Sequence, residues 1–194
     1  MKLIIATHNS GKAREIGEIL ANLPLEYLTL TEAGLSQDIA ETGDSYAANA
    51  LLKATFTARA TGLPALGDDS GLEVDALGGR PGLHSARYAP TTPQRWAKLL
   101  SELKDVPWEK RTARFRCVIA LAAPERDSVT VEGVCEGRMA FEPKGEGGFG
   151  YDPLFYLPDH GCTMAELPDE VKNRVSHRGR AMLKAKAILV EWLT

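Results

Sequence analysis

Apolar residues recur along this chain in two periods, one of two residues and one near 3.6, and their interleaving predicts strands and helices in mixed order. Residues 2–6 form a short apolar run ended by Thr-His-Asn-Ser-Gly, after which Ala13, Ile16, Ile19, Leu20 and Leu23 follow helical spacing. The chain therefore opens as strand, polar turn and helix. Residues 25–30 return as a strand, and over 44–61 Tyr46, Ala50, Leu51, Ala54 and Ala58 make an amphipathic helix with Ser45 as its N-cap. A loop-rich stretch, GGRPGLHSARYAPTTP, leads to a helix over 93–103. Residues 112–122 and 128–140 then read as two long strands joined by a polar turn at 124–127, with Phe115, Cys117, Ile119 and Leu121 alternating on the first. A helix over 177–192, capped by Ser176, closes the chain and buries Met182, Ala185, Leu189 and Trp192. Without strict alternation of strand and helix, the sheet is expected to be mixed.

One segment breaks this pattern. Residues 65–77, ALGDDSGLEVDAL, place two adjacent acids and Ser-Gly inside an apolar run. The composition predicts a strand that leaves into a turn at Asp-Ser-Gly, followed by a second strand in which Leu72, Val74 and Ala76 alternate with Glu73 and Asp75. Neighbouring side chains of a strand face opposite ways, so Asp68 and Asp69 form one two-headed site only if the chain bends at Gly67 or Gly71. One acid is expected to be structural and the other chemical.

A length of 194 residues suits a single domain, or two closely joined lobes, with a substantial core. The net charge of -3 offers no bulk attraction to nucleic acid or to an anionic membrane, so a polyanionic ligand must be held locally. No apolar run reaches the length of a signal peptide's core or a membrane span, which predicts a cytoplasmic protein. Cys117, Cys135 and Cys162 show no CxxC spacing and suggest neither a disulfide framework nor a zinc site; the first two are expected to be small core residues.

Four polar clusters interrupt the frame. Thr7, His8, Asn9, Ser10, Gly11 and Lys12 lie where a strand gives way to a helix, a place whose unpaired backbone N–H groups favour an anion, although Asn9 or Ser10 serving as an ordinary N-cap explains the same residues. Asp68, Asp69 and Ser70 form the second cluster. The third, Gly147-Gly148-Phe149-Gly150-Tyr151-Asp152, suggests a backbone that approaches something closely beside a ring available for stacking. In the fourth, Lys172 precedes His177 and Arg178, two cationic residues in the first turn of a helix, the unfavourable end for positive charge. Together an anion cradle, a metal-capable acid pair, an aromatic in a glycine loop and a cationic helix start describe a nucleoside triphosphate site.

At these residues the chain resembles the inosine/xanthosine triphosphate pyrophosphatase family, also called HAM1-like. ATHNSGK, ETGDSYAANALLKA, GDDSGLEVDAL, GLHSARYA, GGFGYDPLF and KNRVSHRGRA occur in the family's order and cover nearly the whole chain. The resemblance implies an α/β fold with an elongated mixed sheet, flanking helices and two lobes around a central cleft in one domain spanning 1–194, usually as a homodimer. It implies hydrolysis of ITP, dITP and XTP between the α and β phosphates, giving a nucleoside monophosphate and pyrophosphate. Residue by residue, Thr7 to Lys12 would cradle the triphosphate, Asp69 would be the catalytic carboxylate, and Glu41 would join Asp69 at Mg²⁺. Ser70 would touch substrate, Phe149, Gly150, Tyr151 and Asp152 would meet the base, and Lys172, His177 and Arg178 would complete the pocket. Ala48 stands where the family commonly has Glu; with Ser45 as N-cap it occupies the capping-box position. A non-catalytic purine nucleotide sensor would use the same pocket, while a nucleic-acid module lacks its basic stripe and a glycosidase lacks two separated acids.

Overall fold

The computed structural model describes residues 1–193. Eight strands make one sheet: β1 (Lys2–Ile5), β2 (Glu26–Thr29), β3 (Ala65–Val74), β4 (Pro81–Gly82), β5 (Thr112–Ala123), β6 (Arg126–Met139), β7 (Phe155–Leu157) and β8 (Cys162–Thr163). Five α-helices accompany them: α1 (Ser10–Leu20), α2 (Tyr46–Thr61), α3 (Thr92–Glu102), α4 (Asp169–Val175) and α5 (His177–Leu193). Strand order is β2-β1-β3-β5-β6-β7-β8, with β4 paired to β3. β1 runs parallel to β2 and β3, whereas β3–β4, β6–β7 and β7–β8 are antiparallel, so the sheet is mixed as its irregular element order predicts.

The chain divides into two compact units. The first comprises 1–69, 117–133 and 178–194; the second comprises 70–116 and 134–177. In the first, Leu3, Ile5, Leu66, Cys117, Ile119 and Leu121 meet Ile16 and Leu20 of α1 and Met182, Ala185 and Leu189 of α5. α2 packs on the backbone of β3, so closely that a Cβ on Gly67 would stand 2.2 Å from the carbonyl oxygen of Ala50. Glycine is required there by contact, not by dihedral angle. In the second unit, Leu72, Val74, Phe115, Met139, Leu154 and Phe155 enclose a core that Leu99 of α3 and its C-cap Leu103 complete.

Two sequence expectations change. β3 runs unbroken from Ala65 to Val74, so Asp68-Asp69-Ser70-Gly71 is not a turn and the chain does not leave the sheet there. The turn-like composition is overridden because partners on other elements satisfy both carboxylates. α4 was not foreseen: seven residues, DEVKNRV, carry too few apolar positions to show a period. Two of the expected caps lie where the residue types place them. Ser45 accepts from the backbone N–H of Ala48, and Asn9 accepts from that of Lys12.

Candidate active site

In the first unit the polar cluster grows from α1. Asn9 is the N-cap, and Thr7 Oγ1 accepts from its backbone N–H at 3.1 Å. His8 stands outside the helix with its ring 3.4 Å from the carbonyl oxygen of Gln37. Ser10 and Gly11 form the first turn, and Lys12 reaches across to Asp68, Nζ to Oδ1 2.6 Å. Asp68 also accepts from Arg178, Nε to Oδ2 2.8 Å, and from the buried thiol of Cys117 at 3.3 Å. Arg178 in turn donates from Nη1 to Glu15 Oε2 at 2.6 Å. This network of two acids and two bases lies in the interior, with Arg178 only 2% exposed. It explains why a cation occupies the first turn of α5: the protein's own carboxylates offset the helix dipole.

Asp69 serves a different set. Its Oδ2 accepts from Asn49 Nδ2 at 3.1 Å and its Oδ1 from Lys53 Nζ at 3.3 Å, both on α2. Lys53 also donates to Glu41 Oε1 at 2.9 Å, so Glu41 and Asp69 converge on one ammonium. Burial lowers the affinity of Lys53 for its proton, yet Asp69 and Glu41 outweigh it and hold the lysine charged.

The two neighbouring acids differ in electrostatics as well as partners. Burial disfavours charge on Asp68, but Arg178 and Lys12 more than compensate and hold it well below the usual carboxylate range. Burial pushes Asp69 up, and Lys53, Lys12 and Asn49 only partly offset it. A carboxylate raised beside one that stays ionised is how a site separates a proton acceptor from a fixed charge.

The second unit holds its own cluster. Lys172 Nζ donates to Asp152 Oδ2 at 2.6 Å, and the same oxygen accepts from the backbone N–H of Phe149 at 2.8 Å. Lys172 lies 5.2 Å from the centre of the Phe149 ring. Gly150 accepts from Trp96 Nε1 at 2.8 Å, and Tyr151 donates from its hydroxyl to the carbonyl of Ser85 at 2.9 Å, so this glycine loop is pinned from two sides. His177 is buried with its ring stacked on Phe115, centroids 4.5 Å apart. Ser70, next to Asp69 on β3, is half-buried.

Comparison with known proteins adds a second line of argument. The sequence profile of the Ham1 family matches residues 3–188. This chain belongs to the Ham1 family. Among Ham1 relatives, the dITP/XTP pyrophosphatase of Geobacillus kaustophilus is 52% identical over 94% of this chain and 91% of its own length. That of Bacillus subtilis is 48% identical over 96% of each. The solved structure of a HAM1 protein from Coxiella burnetii superposes with a TM-score of 0.88 at 42% identity, covering 98% of this chain and 99% of that one. A nucleoside-triphosphatase / dITP/XTP pyrophosphatase from Mycobacterium abscessus gives 0.75 at 41% identity, covering 95% and 98%.

Within this Ham1 chain the structure brings Asp69 and Glu41 to a shared cation and joins Phe149, Asp152 and Lys172. It holds Arg178 in the Asp68–Glu15 network of the first unit, whereas Lys172 and His177 lie in the second. Sequence reading missed Lys53, Asn49 and Glu15. A signal existed for the first two: Asn49 and Lys53 are four residues apart beside Ala50 and Ala54, polar residues in a buried helical stripe. Glu15 carried no comparable signal, since its partner is 163 positions away.

Proposed function

We propose that this chain is a nucleoside triphosphate pyrophosphohydrolase that cleaves ITP, dITP and XTP to the monophosphate and pyrophosphate. The observation that carries the catalytic half is the convergence of Asp69 and Glu41 on the ammonium of Lys53, beside an Asp68 held by Lys12 and Arg178. Relatives named dITP/XTP pyrophosphatase, similar over nearly the full length of both chains, support the substrate class.

Mg²⁺ is the metal this reading calls for. Glu41 and Asp69 fit it: two hard oxygen donors already converge on a positive charge. Mg²⁺ commonly binds through one or two carboxylates, completing its shell with water and phosphate oxygens. When bound, the ion neutralises phosphate charge. Asp69 orients the attacking water and takes its proton. Lys53 keeps Asp69 and Glu41 aligned, and the backbone N–H groups at the start of α1, with Lys12, bind phosphate oxygens.

The base is read by complementary donors and acceptors. A 6-oxopurine presents an acceptor, O6, beside a donor, N1–H; adenine presents the reverse. Lys172 is a pure donor and Asp152 a pure acceptor, 2.6 Å apart next to Phe149, which supplies a stacking face. Incubation with a panel of nucleoside triphosphates and Mg²⁺, with products separated by chromatography, tests the reading. Monophosphate and pyrophosphate from ITP and XTP are expected; diphosphate and orthophosphate would overturn it.

A further inference from the structure

Phe149 sits between two glycines of left-handed backbone, Gly148 at φ 68° and Gly150 at φ 63°. Nothing stands within 4 Å of where a Cβ on Gly150 would lie, so packing at that residue does not fix the chain. Glycine gives up more conformational freedom on ordering than any other residue, and a loop built this way needs anchors from outside it. Helix α3 supplies them. Trp96, Leu99, Leu100 and Leu103 follow helical spacing along α3 and its C-cap toward the core of the second unit. For packing alone, a leucine or a phenyl ring would serve at position 96. The indole adds one donor, and its Nε1–H goes to the Gly150 carbonyl oxygen at 2.8 Å.

The neighbouring Arg95 donates from Nη1 to the carbonyl of Ala86 at 2.7 Å, and the carbonyl of Ser85 accepts from the Tyr151 hydroxyl at 2.9 Å. The Ser85 hydroxyl in turn accepts from the backbone N–H of Leu72 on β3 at 2.8 Å. Adjacent residues of one helix thus secure the loop twice: Trp96 directly at Gly150, and Arg95 through the 85–86 turn at Tyr151. We infer that Trp96 is a positioning residue for base recognition, its indole N–H holding the Gly150 carbonyl so that the Phe149 ring and the Lys172–Asp152 pair are arranged before the nucleotide arrives. The inference rests on the reading that this loop meets the base. Affinity falls in proportion to the fraction of protein in the competent conformation, so loss of the anchor weakens binding. The saturated enzyme, its loop ordered by the substrate itself, turns over as before.

The test is Trp96→Phe, which keeps an apolar ring in the helical stripe and removes the N–H. Steady-state kinetics with ITP should show KM raised about fivefold, the worth of one hydrogen bond, with kcat held. Two inhibitors divide the nucleotide: inosine monophosphate carries the base, and pyrophosphate does not. The inhibition constant of inosine monophosphate should rise by the same factor while that of pyrophosphate stays where it was, a split that a general loosening of the protein does not produce. Equal weakening of both inhibitors, an unchanged KM, or a loss confined to kcat overturns the inference. Should Trp96→Phe fail to fold, Trp96→Leu serves in its place, with the same expected split and the same overturning results. Lys172→Met separates this inference from the reading beneath it. If Lys172→Met weakens inosine monophosphate and Trp96→Phe does not, only the role of Trp96 falls; if neither does, the assignment of this loop to the base falls as well.

Discussion

Asp68 and Asp69 are joined by one peptide bond, yet their carboxylates reach opposite sides of β3: Asp68 meets Lys12 of α1 and Arg178 of α5, and Asp69 meets Asn49 and Lys53 of α2. Two identical side chains thus acquire different proton affinities from their surroundings alone.

Asp69→Asn should abolish most turnover while leaving much of the folded stability. Removing a proton acceptor costs about 10² to 10⁴ in rate. Because the folded pKa of Asp69 is raised, its charge costs stability at neutral pH, and that cost disappears as pH falls through the raised value toward the unfolded one. The amide avoids this cost but turns its NH2 toward a donor, Asn49 Nδ2 or Lys53 Nζ, and leaves Lys53 paired with Glu41. Thermal unfolding at neutral pH should still show a cooperative transition, with kcat reduced by the stated factor; turnover close to that of the unmodified protein would place the proton acceptor elsewhere.

Asp68→Asn should behave in the opposite way. The folded pKa of Asp68 is depressed, so its contribution is fully present above the unfolded value of about 3.9 and is lost as pH falls through the folded value. Breaking a buried ion pair from one side costs about 3–5 kcal/mol, here because Lys12 and Arg178 lose a shared counter-charge. Urea denaturation from neutral pH down to about pH 3 should show the variant less stable at neutrality, with the difference shrinking in acid. A constant difference across that range would contradict the assignment.

These contrasts show where sequence reading reaches and where it stops. The helical stripe of α2 and its Ser45 cap, and the alternation in β5, are local, and each was visible as a period or a residue type. The ten-residue span of β3 was not, because Asp-Asp-Ser-Gly has turn chemistry when considered alone. Only Lys12, Lys53 and Arg178, separated from these acids by 16 to 110 positions, make a buried acidic strand tolerable. The glycine loop with Phe149 and the acid pair stood out as candidates, but that Lys172 closes on Asp152 while Arg178 closes on Asp68 depends on tertiary packing, which no local pattern encodes.

Lys172→Met should erase discrimination at the base. It removes the donor and leaves Asp152 without its 2.6 Å cation, so the complement to the 6-oxopurine edge is lost from both sides. A missing partner for a buried polar group is worth about 1–3 kcal/mol. The ITP-to-ATP ratio of kcat/KM should therefore fall about tenfold or more; an unchanged ratio would place base recognition elsewhere.

Gly148→Ala should damage the same discrimination through the backbone. Gly148 has φ +68°, and a Cβ there would lie 2.2 Å from Asp152 Oδ2 and 2.7 Å from Lys172 Nζ. Left-handed backbone costs a substituted residue about 1–2 kcal/mol, and the Lys172–Asp152 pair must also part to make room. KM for ITP should rise with kcat less affected, as steady-state kinetics will show. Gly150→Ala supplies a control: it too has positive φ, 63°, but nothing lies within 4 Å of its added Cβ, so it shares the backbone strain without the displacement.

The close fit of Gly67 against Ala50 has a consequence for how this protein can change over evolution. A one-residue slip of β3 in register would turn its faces over, presenting Asp68 toward α2 and Asp69 toward α1 and α5. Since the two acids are chemically the same, such a slip would reassign the labour without altering the composition of the strand. A flattened glycine with no room for a methyl group penalises that exchange, because the shifted strand would drive a side chain into the helix backbone. The side of the sheet that Asp69 faces is thus written in the spacing between a helix and a strand, and point substitutions at the acids are not the only way to alter it.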